Sequence, residues 1–176
     1  SGNYLYVASY GGNSLTTFNI TNPSTPVQTA YYTNATSLNT PWSVTTSGNY
    51  LYVASYTGDS LTTFNITNPS TPVQVAYYTN ATSLYSPVSV TTSGNYLYVV
   101  SYAGKTLTTF NITNPATPVQ TAYYTNATSL NRPYSVTTSG NYLYVASYSG
   151  NSLTTFNITN PATPVQIAYY TNATSL

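Results

Sequence analysis

The heptad Ser-Gly-Asn-Tyr-Leu-Tyr-Val recurs at Ser1, Ser47, Ser93 and Ser139, so the chain is written in a period of 46 residues. The first two copies differ at six of 46 positions, which requires the same conformation in each. A fixed period of about 40–50 residues is the mark of blade or solenoid architectures, in which one unit cannot bury its own apolar face and stacks on the next. The copies are residues 1–46, 47–92, 93–138 and 139–176. The fourth stops before the octet that reads Asn39-Thr-Pro-Trp-Ser-Val-Thr-Thr46 in the first. With no initiator Met and an opening at the heptad, the expectation is a mature product or a window on a longer array.

Within a copy, runs of Val, Tyr, Thr and Ile are bounded by Gly, Pro and Asn, the pattern of strands and turns. Four strands are expected per unit: A over Trp42–Thr46, B over Tyr50–Tyr56 (Tyr4–Tyr10 in the first copy), C over Leu15–Thr21, and D over Val27–Thr33. Ser47-Gly48-Asn49 turns A into B. Pro23 and Pro26 bar their segment from any central strand, because proline has no ladder donor. On B, Leu5 and Val7 face one side and Tyr4, Tyr6, Ala8 and Tyr10 the other; on C, Phe18 and Ile20 oppose Leu15, Thr17 and Asn19. Both faces are apolar enough to bury, which suits blades stacked around an axis better than a two-layer sandwich. The fold expected is all-β and propeller-like, four tandem blades of four strands, with a β-solenoid stack as the alternative. Because the chain opens at B, the count is 15 strands, and the first unit lacks its innermost strand.

The stretch Leu5-Tyr-Val-Ala-Ser-Tyr10, a Gly loop, and then Leu15-Thr-Thr-Phe-Asn-Ile-Thr-Asn-Pro-Ser-Thr-Pro-Val27 resembles the LVIVD-type propeller repeat, in every copy. That resemblance implies a propeller fold and a surface or extracellular setting. Where the family tends to carry two Asp residues, this chain has Asn19 and Asn22, which removes charge and makes Asn19-Ile-Thr a glycosylation acceptor.

Charge is nearly absent: Asp59, Lys105 and Arg132 are the only charged side chains among 176 residues, and there is no His, Cys or Met. One carboxylate cannot run paired-carboxylate chemistry, and no His or Cys is present as base, nucleophile or ligand. No enzyme, no cofactor and no metal site is expected. With no basic patch, nucleic-acid binding lacks its electrostatic source. No apolar run approaches the ~18 residues a spanning helix needs. Few titratable or oxidisable groups suit a harsh exterior.

Two sequons recur in each copy: Asn34, Asn80, Asn126 and Asn172, and Asn19, Asn65, Asn111 and Asn157. The first set, at the exposed end of strand D, is the favoured site of covalent glycans; the second lies in strand C. The 22 Tyr residues read chiefly as strand formers that fill blade faces, and secondarily as platforms for sugars. Nine repeat positions vary, and six of them fall in the B–C loop or the D–A link, which leave a meander at the same end. Trp42, Tyr85, Tyr134, Arg132, Asp59 and Lys105 therefore share one variable face, a candidate contact surface.

The function expected is that of an extracellular or cell-surface structural repeat glycoprotein. Its main partner is itself, in a layer, sheath or filament joined through strand edges. The alternative is an adhesin or carbohydrate-binding propeller that uses the variable face.

Overall fold

The computed structural model describes residues 2–174 and is all-β. Blade 1 contains β1 (Tyr4–Ser9), β2 (Ser14–Asn19) and β3 (Val27–Thr33). Blade 2 contains β4 (Pro41–Ser47), β5 (Tyr50–Ser55), β6 (Ser60–Asn65) and β7 (Val73–Thr79). Blade 3 contains β8 (Pro87–Ser93), β9 (Tyr96–Ser101), β10 (Thr106–Asn111) and β11 (Val119–Thr125). Blade 4 contains β12 (Pro133–Ser139), β13 (Tyr142–Ser147), β14 (Ser152–Asn157) and β15 (Val165–Thr171). Each blade is an antiparallel meander in chain order, three strands in the first and four in the others. The inner strand of each four-stranded blade comes from the octet of the preceding copy, so each of these three blades straddles a repeat boundary.

Local chemistry sets the strand ends. β4 and β5 pair through Ser47↔Tyr50, leaving the two-residue turn Gly48-Asn49. Gly48 takes φ 52, the left-handed first position that such hairpin turns require. Strand C ends at Asn19 rather than Thr21, because the Asn19 side-chain oxygen accepts a hydrogen bond from the Thr21 N–H at 2.8 Å and turns the chain. Strand B ends at Ser9, one residue short of Tyr10.

The inner strands gather at one axis, with β8 packed between β4 and β12. Their polar side chains bridge neighbours: the Val90 N–H donates to Ser43 Oγ and the Val136 N–H to Ser89 Oγ, both at 3.2 Å. This is a propeller-like arrangement and not a solenoid.

Three apolar clusters lie between blades, and all use the same pair of surfaces. Tyr6, Leu15 and Leu38 of blade 1 meet Leu51, Val53, Phe64 and Ile66 of blade 2. Tyr52, Ala54, Leu61 and Leu84 meet Val90, Leu97, Val99, Phe110 and Ile112. Tyr98, Val100, Leu107 and Leu130 meet Val136, Leu143, Val145, Phe156 and Ile158. The trailing face of one blade thus always covers the leading face of the next. A polar clasp closes each junction at the rim: Tyr32 Oη and Ser37 Oγ donate to Gln74 Oε1 at 2.8 and 2.7 Å. Gln120 and Gln166 repeat that clasp with Tyr78 and Ser83, and with Tyr124 and Ser129.

The middle blades bury both faces, as the two-sided apolar pattern requires. The outer faces of the end blades do not. Leu5 and Val7 on the leading face of blade 1 are 47% and 39% exposed, whereas Leu51 and Val53 are fully buried. On the trailing face of blade 4, Leu153 is 36% exposed against 1% for Leu61, and Tyr170 is 55% exposed. The four blades form an open arc.

Burial inside the arc sets its pH response. Burial, and secondarily the neighbouring Tyr50 and Tyr96, pushes the phenols of Tyr52 and Tyr98 from 10.0 up to about 12. A folded-state value above the unfolded one favours the protonated native state, so this contribution is complete below pH 10 and is lost as pH rises through 12. The chain has no His or Cys, the side chains whose ordinary values lie nearest neutrality. Thermal scans should therefore give a flat Tm between about pH 5 and 9 and a falling Tm above pH 10. The Tyr52→Phe, Tyr98→Phe double variant should flatten the alkaline fall; an unchanged fall would place its cause elsewhere.

Candidate functional site

The site is built by two repeat positions at one end of the axis. Tyr10, Tyr56, Tyr102 and Tyr148 each follow the end of a B strand. Trp42, Val88 and Tyr134 each lie second in an A strand. There the A–B ladder skips a residue: Pro41 opposes Ser55 and Ser43 opposes Ala54, leaving Trp42 in a β-bulge. The same skip occurs at Val88 and Tyr134. A bulge re-aims the side chain it carries. These seven residues line one cavity of about 650 Å³ at the mouth of the arc.

The rings form a connected wall. Trp42 meets Tyr10 edge-on at 5.4 Å, Tyr56 at 5.4 Å, and Tyr134 across the axis at 6.2 Å. Tyr134 in turn meets Tyr102 at 6.3 Å and Tyr148 at 6.4 Å. Tyr10, Trp42, Tyr134 and Tyr148 remain largely exposed, which is costly apolar area unless something covers it.

Behind Tyr102 a second depression is lined by Lys105, Arg132, Asn131, Ala103 and Ser149. The Arg132 guanidinium carbon lies 5.4 Å from the centre of the Tyr102 ring. The loops meet there because each B–C loop touches the following D–A link 27 residues on. Asn13 Oδ1 accepts from the Thr40 N–H and Asp59 Oδ1 from the Ser86 N–H, both at 2.8 Å. Asp59 thus serves its own blade junction, while the corresponding pairing brings Lys105 to Arg132.

Of the six residues expected on the variable face, Trp42 and Tyr134 enter the cup, and Lys105 and Arg132 line the adjoining depression. Tyr85 is exposed on the link above the Gly104 turn, outside the cup lining, where its carbonyl accepts from the Gly104 N–H. The four Tyr residues after the B strands are the members that sequence reasoning did not single out.

The loop backbone explains a further feature. Asn13, Asp59, Lys105 and Asn151 all take φ between 42 and 55. Asn and Asp tolerate this left-handed region; Lys does not, and it also lacks the side-chain acceptor. Lys105→Asn should stabilise the chain by about 1 kcal/mol, a Tm gain of roughly 2–4 °C by calorimetry. No gain would mean that the strain is relieved elsewhere.

Both sequon sets are partly exposed. Asn34 Oδ1 accepts from the Thr36 and Ser37 N–H groups at 2.9 and 3.0 Å. The side-chain amides of Asn80, Asn126 and Asn172 also donate to Tyr78, Tyr124 and Tyr170. Asn19, Asn65, Asn111 and Asn157 use only their oxygens, each on the N–H two residues ahead. At the end of strand C they are partly exposed, as the Asn34 set is.

Fold and repeat together define a propeller built of tandem short-period blades. The sequence matches the LVIVD repeat over residues 1–34, 40–80, 87–126 and 134–172, and the chain belongs to that family. No curated protein matches the sequence. Among solved structures, a Bacteroides uniformis protein bearing the provisional name 6-phosphogluconolactonase superposes with a TM-score of 0.81 at 18% identity, over 98% of this chain and 55% of its own. The periplasmic gluconolactonase of Pseudomonas aeruginosa gives 0.79 at 16% identity, over 96% of this chain and 51% of its own. A nidogen/laminin complex gives 0.68 at 13% identity, over 98% of this chain and 61% of the matched one. At such identities the likeness is one of fold. The chain spans about half the length of the two lactonase-named structures.

Proposed function

We propose that this chain is a non-enzymatic structural repeat protein of an extracellular layer, sheath or filament. It assembles by docking the trailing face of blade 4 on the leading face of blade 1 of another copy. The observation that carries this is the repetition of one interface. Leu5 and Val7 are the counterparts of Leu51 and Val53, and Leu153 is the counterpart of Leu15 and Leu61. Within the chain those faces meet three times. The clasp supports it too: Gln28, counterpart of Gln74, is exposed on blade 1, and Tyr170, counterpart of Tyr32, is exposed on blade 4. Among the described residues β1 pairs with β2 alone, which adds an open edge on the axis side. Two different faces meeting make a heterologous contact, which grows until it closes on itself or runs on as a fibre.

A non-catalytic role is supported by the chemistry of the side chains. The single carboxylate, Asp59, is engaged by the Ser86 N–H, and the axial cup holds phenols, an indole and a valine. The named activities of the lactonase-like structures rest on those proteins and reach this chain only through the fold. Glycans on the Asn34 or Asn19 sets would solubilise a surface with almost no charge.

Sedimentation velocity over a range of concentrations tests the assembly. The expected result is species at multiples of 18.9 kDa that grow with concentration. A single 18.9 kDa species throughout the micromolar range would overturn it.

A further inference from the structure

The axial cup and the depression beside it share Tyr102 and differ in chemistry. The cup offers flat apolar rings and phenol hydroxyls. The depression gathers Lys105 and Arg132, the only two cationic side chains in the chain. Two like charges in one hollow repel each other, and the one side-chain anion, Asp59, is committed to the Ser86 N–H of another junction. Bringing the only two cationic side chains together, with no acidic side chain beside them among the described residues, is unfavourable for the free protein and favourable for a bound anion.

We propose that this double site binds an anionic saccharide. A sugar ring lies against Trp42 and Tyr134, its C–H face on the aromatic planes, and its carboxylate or sulfate reaches past Tyr102 to Lys105 and Arg132. The partition of chemistry selects this class. A cationic ligand would find aromatic walls but would be repelled by Arg132. A neutral apolar ligand would leave the cation pair unanswered. A small inorganic anion would leave the rings uncovered. A cavity of about 650 Å³ accommodates two or more sugar rings. The site also departs from the repeat symmetry that dominates the rest of the chain. Trp42 and Tyr134 stand where blade 3 has Val88, and Lys105 and Arg132 stand where the first copy has Asn13 and Thr40. Three of the nine variable repeat positions supply here the four groups that suit one ligand.

The repeats also supply variants that the fold accommodates. Lys105→Asn, Arg132→Thr, Trp42→Val and Tyr134→Val each install the residue another copy carries at that position. Trp42 is the only tryptophan, so its emission reports on the cup directly. The experiment titrates the chain with trigalacturonate, with a sulfated disaccharide and with neutral maltotriose, following Trp42 fluorescence and isothermal heat at low salt.

The expected result is a saturable change in Trp42 emission with one or both acidic sugars. Affinity should fall at least tenfold with 0.5 M salt or in the Lys105→Asn, Arg132→Thr double variant, and at least tenfold by calorimetry in Trp42→Val. Which acidic sugar binds distinguishes a carboxylate from a sulfate as the anchor. Equal binding of maltotriose would overturn the proposal, as would retention of affinity in the double variant, or the absence of both heat and emission change with the two acidic sugars. The cup lies at the loop end of the axis and the docking faces on the blade sides, so sedimentation of the same variants separates this outcome from that of assembly.

Discussion

Val7→Lys should abolish self-association, weakening it at least a hundredfold, while leaving the Tm of the isolated chain within a few degrees of the parent. In the free chain, Val7 lies on the open leading face of blade 1 and is well exposed, so a lysine there keeps its ammonium in water. In the docked state the same position becomes the equivalent of Val53, which is fully buried among Leu51, Phe64 and Ile66. No acidic side chain lies on either docking face to receive the charge, because Asp59 is the only one in the chain and sits in a loop. Burying an unpaired ammonium costs several kcal/mol, and every 1.4 kcal/mol is a factor of ten in affinity. Val53→Lys is the contrasting variant. It places the same charge in an interface already formed within the chain and should prevent folding rather than assembly. If Val7→Lys assembles like the parent, the leading face of blade 1 is not the docking surface.

The second large effect is on stability, and the repeats make it a controlled comparison. Phe18, Phe64, Phe110 and Phe156 occupy one repeat position. Phe64, Phe110 and Phe156 are fully buried, whereas Phe18 is on the open face of blade 1 and only partly buried. Phe110 sits between blades 2 and 3 with Leu97, Val99 and Ile112, and its ring meets Tyr78 edge-on at 5.1 Å. Truncating such a ring removes its transfer free energy and leaves a cavity that a sheet pinned on both sides cannot close. Phe110→Ala should cost about 3–5 kcal/mol in chemical denaturation. Phe18→Ala should cost less than half as much, since its outer side already faces water. Equal costs at the two positions would mean that blade 1 is covered in solution, which denaturation below the assembly concentration would expose.

The strands were legible because Gly, Pro and Asn punctuate every copy, and because Leu-Tyr-Val and Leu-Thr-Thr-Phe alternate cleanly. The absence of an inner strand from blade 1 followed from the phase of the repeat. The Asn19 turn was missed by two residues, because Asn-Ile-Thr reads as continued strand until the Asn side chain is seen to accept from the backbone. The aromatic cup was half legible. Trp42 and Tyr134 stood out because they vary, but the four invariant Tyr residues gave no such signal and read as strand formers. The bulge that turns Trp42 towards the axis depends on the register between strands, which composition and alternation do not encode. Asp59 and Lys105 share a repeat position in successive copies, which by itself places them alike. The 27-residue offset between loop and link instead sends Asp59 to Ser86 and sets Lys105 beside Arg132.

Assembly rests on one asymmetric contact, and the absence of native cysteine allows it to be trapped cleanly. Leu5 and Leu153 correspond to Leu51 and Leu15, which share one cluster between blades 1 and 2. Chains carrying Leu5→Cys and chains carrying Leu153→Cys should be oxidised separately and then as a mixture, and resolved without reductant. Face-to-face docking predicts a covalent dimer in the mixture and monomers in each separate sample. Dimers of Leu5→Cys alone, or no dimer in the mixture, would contradict it.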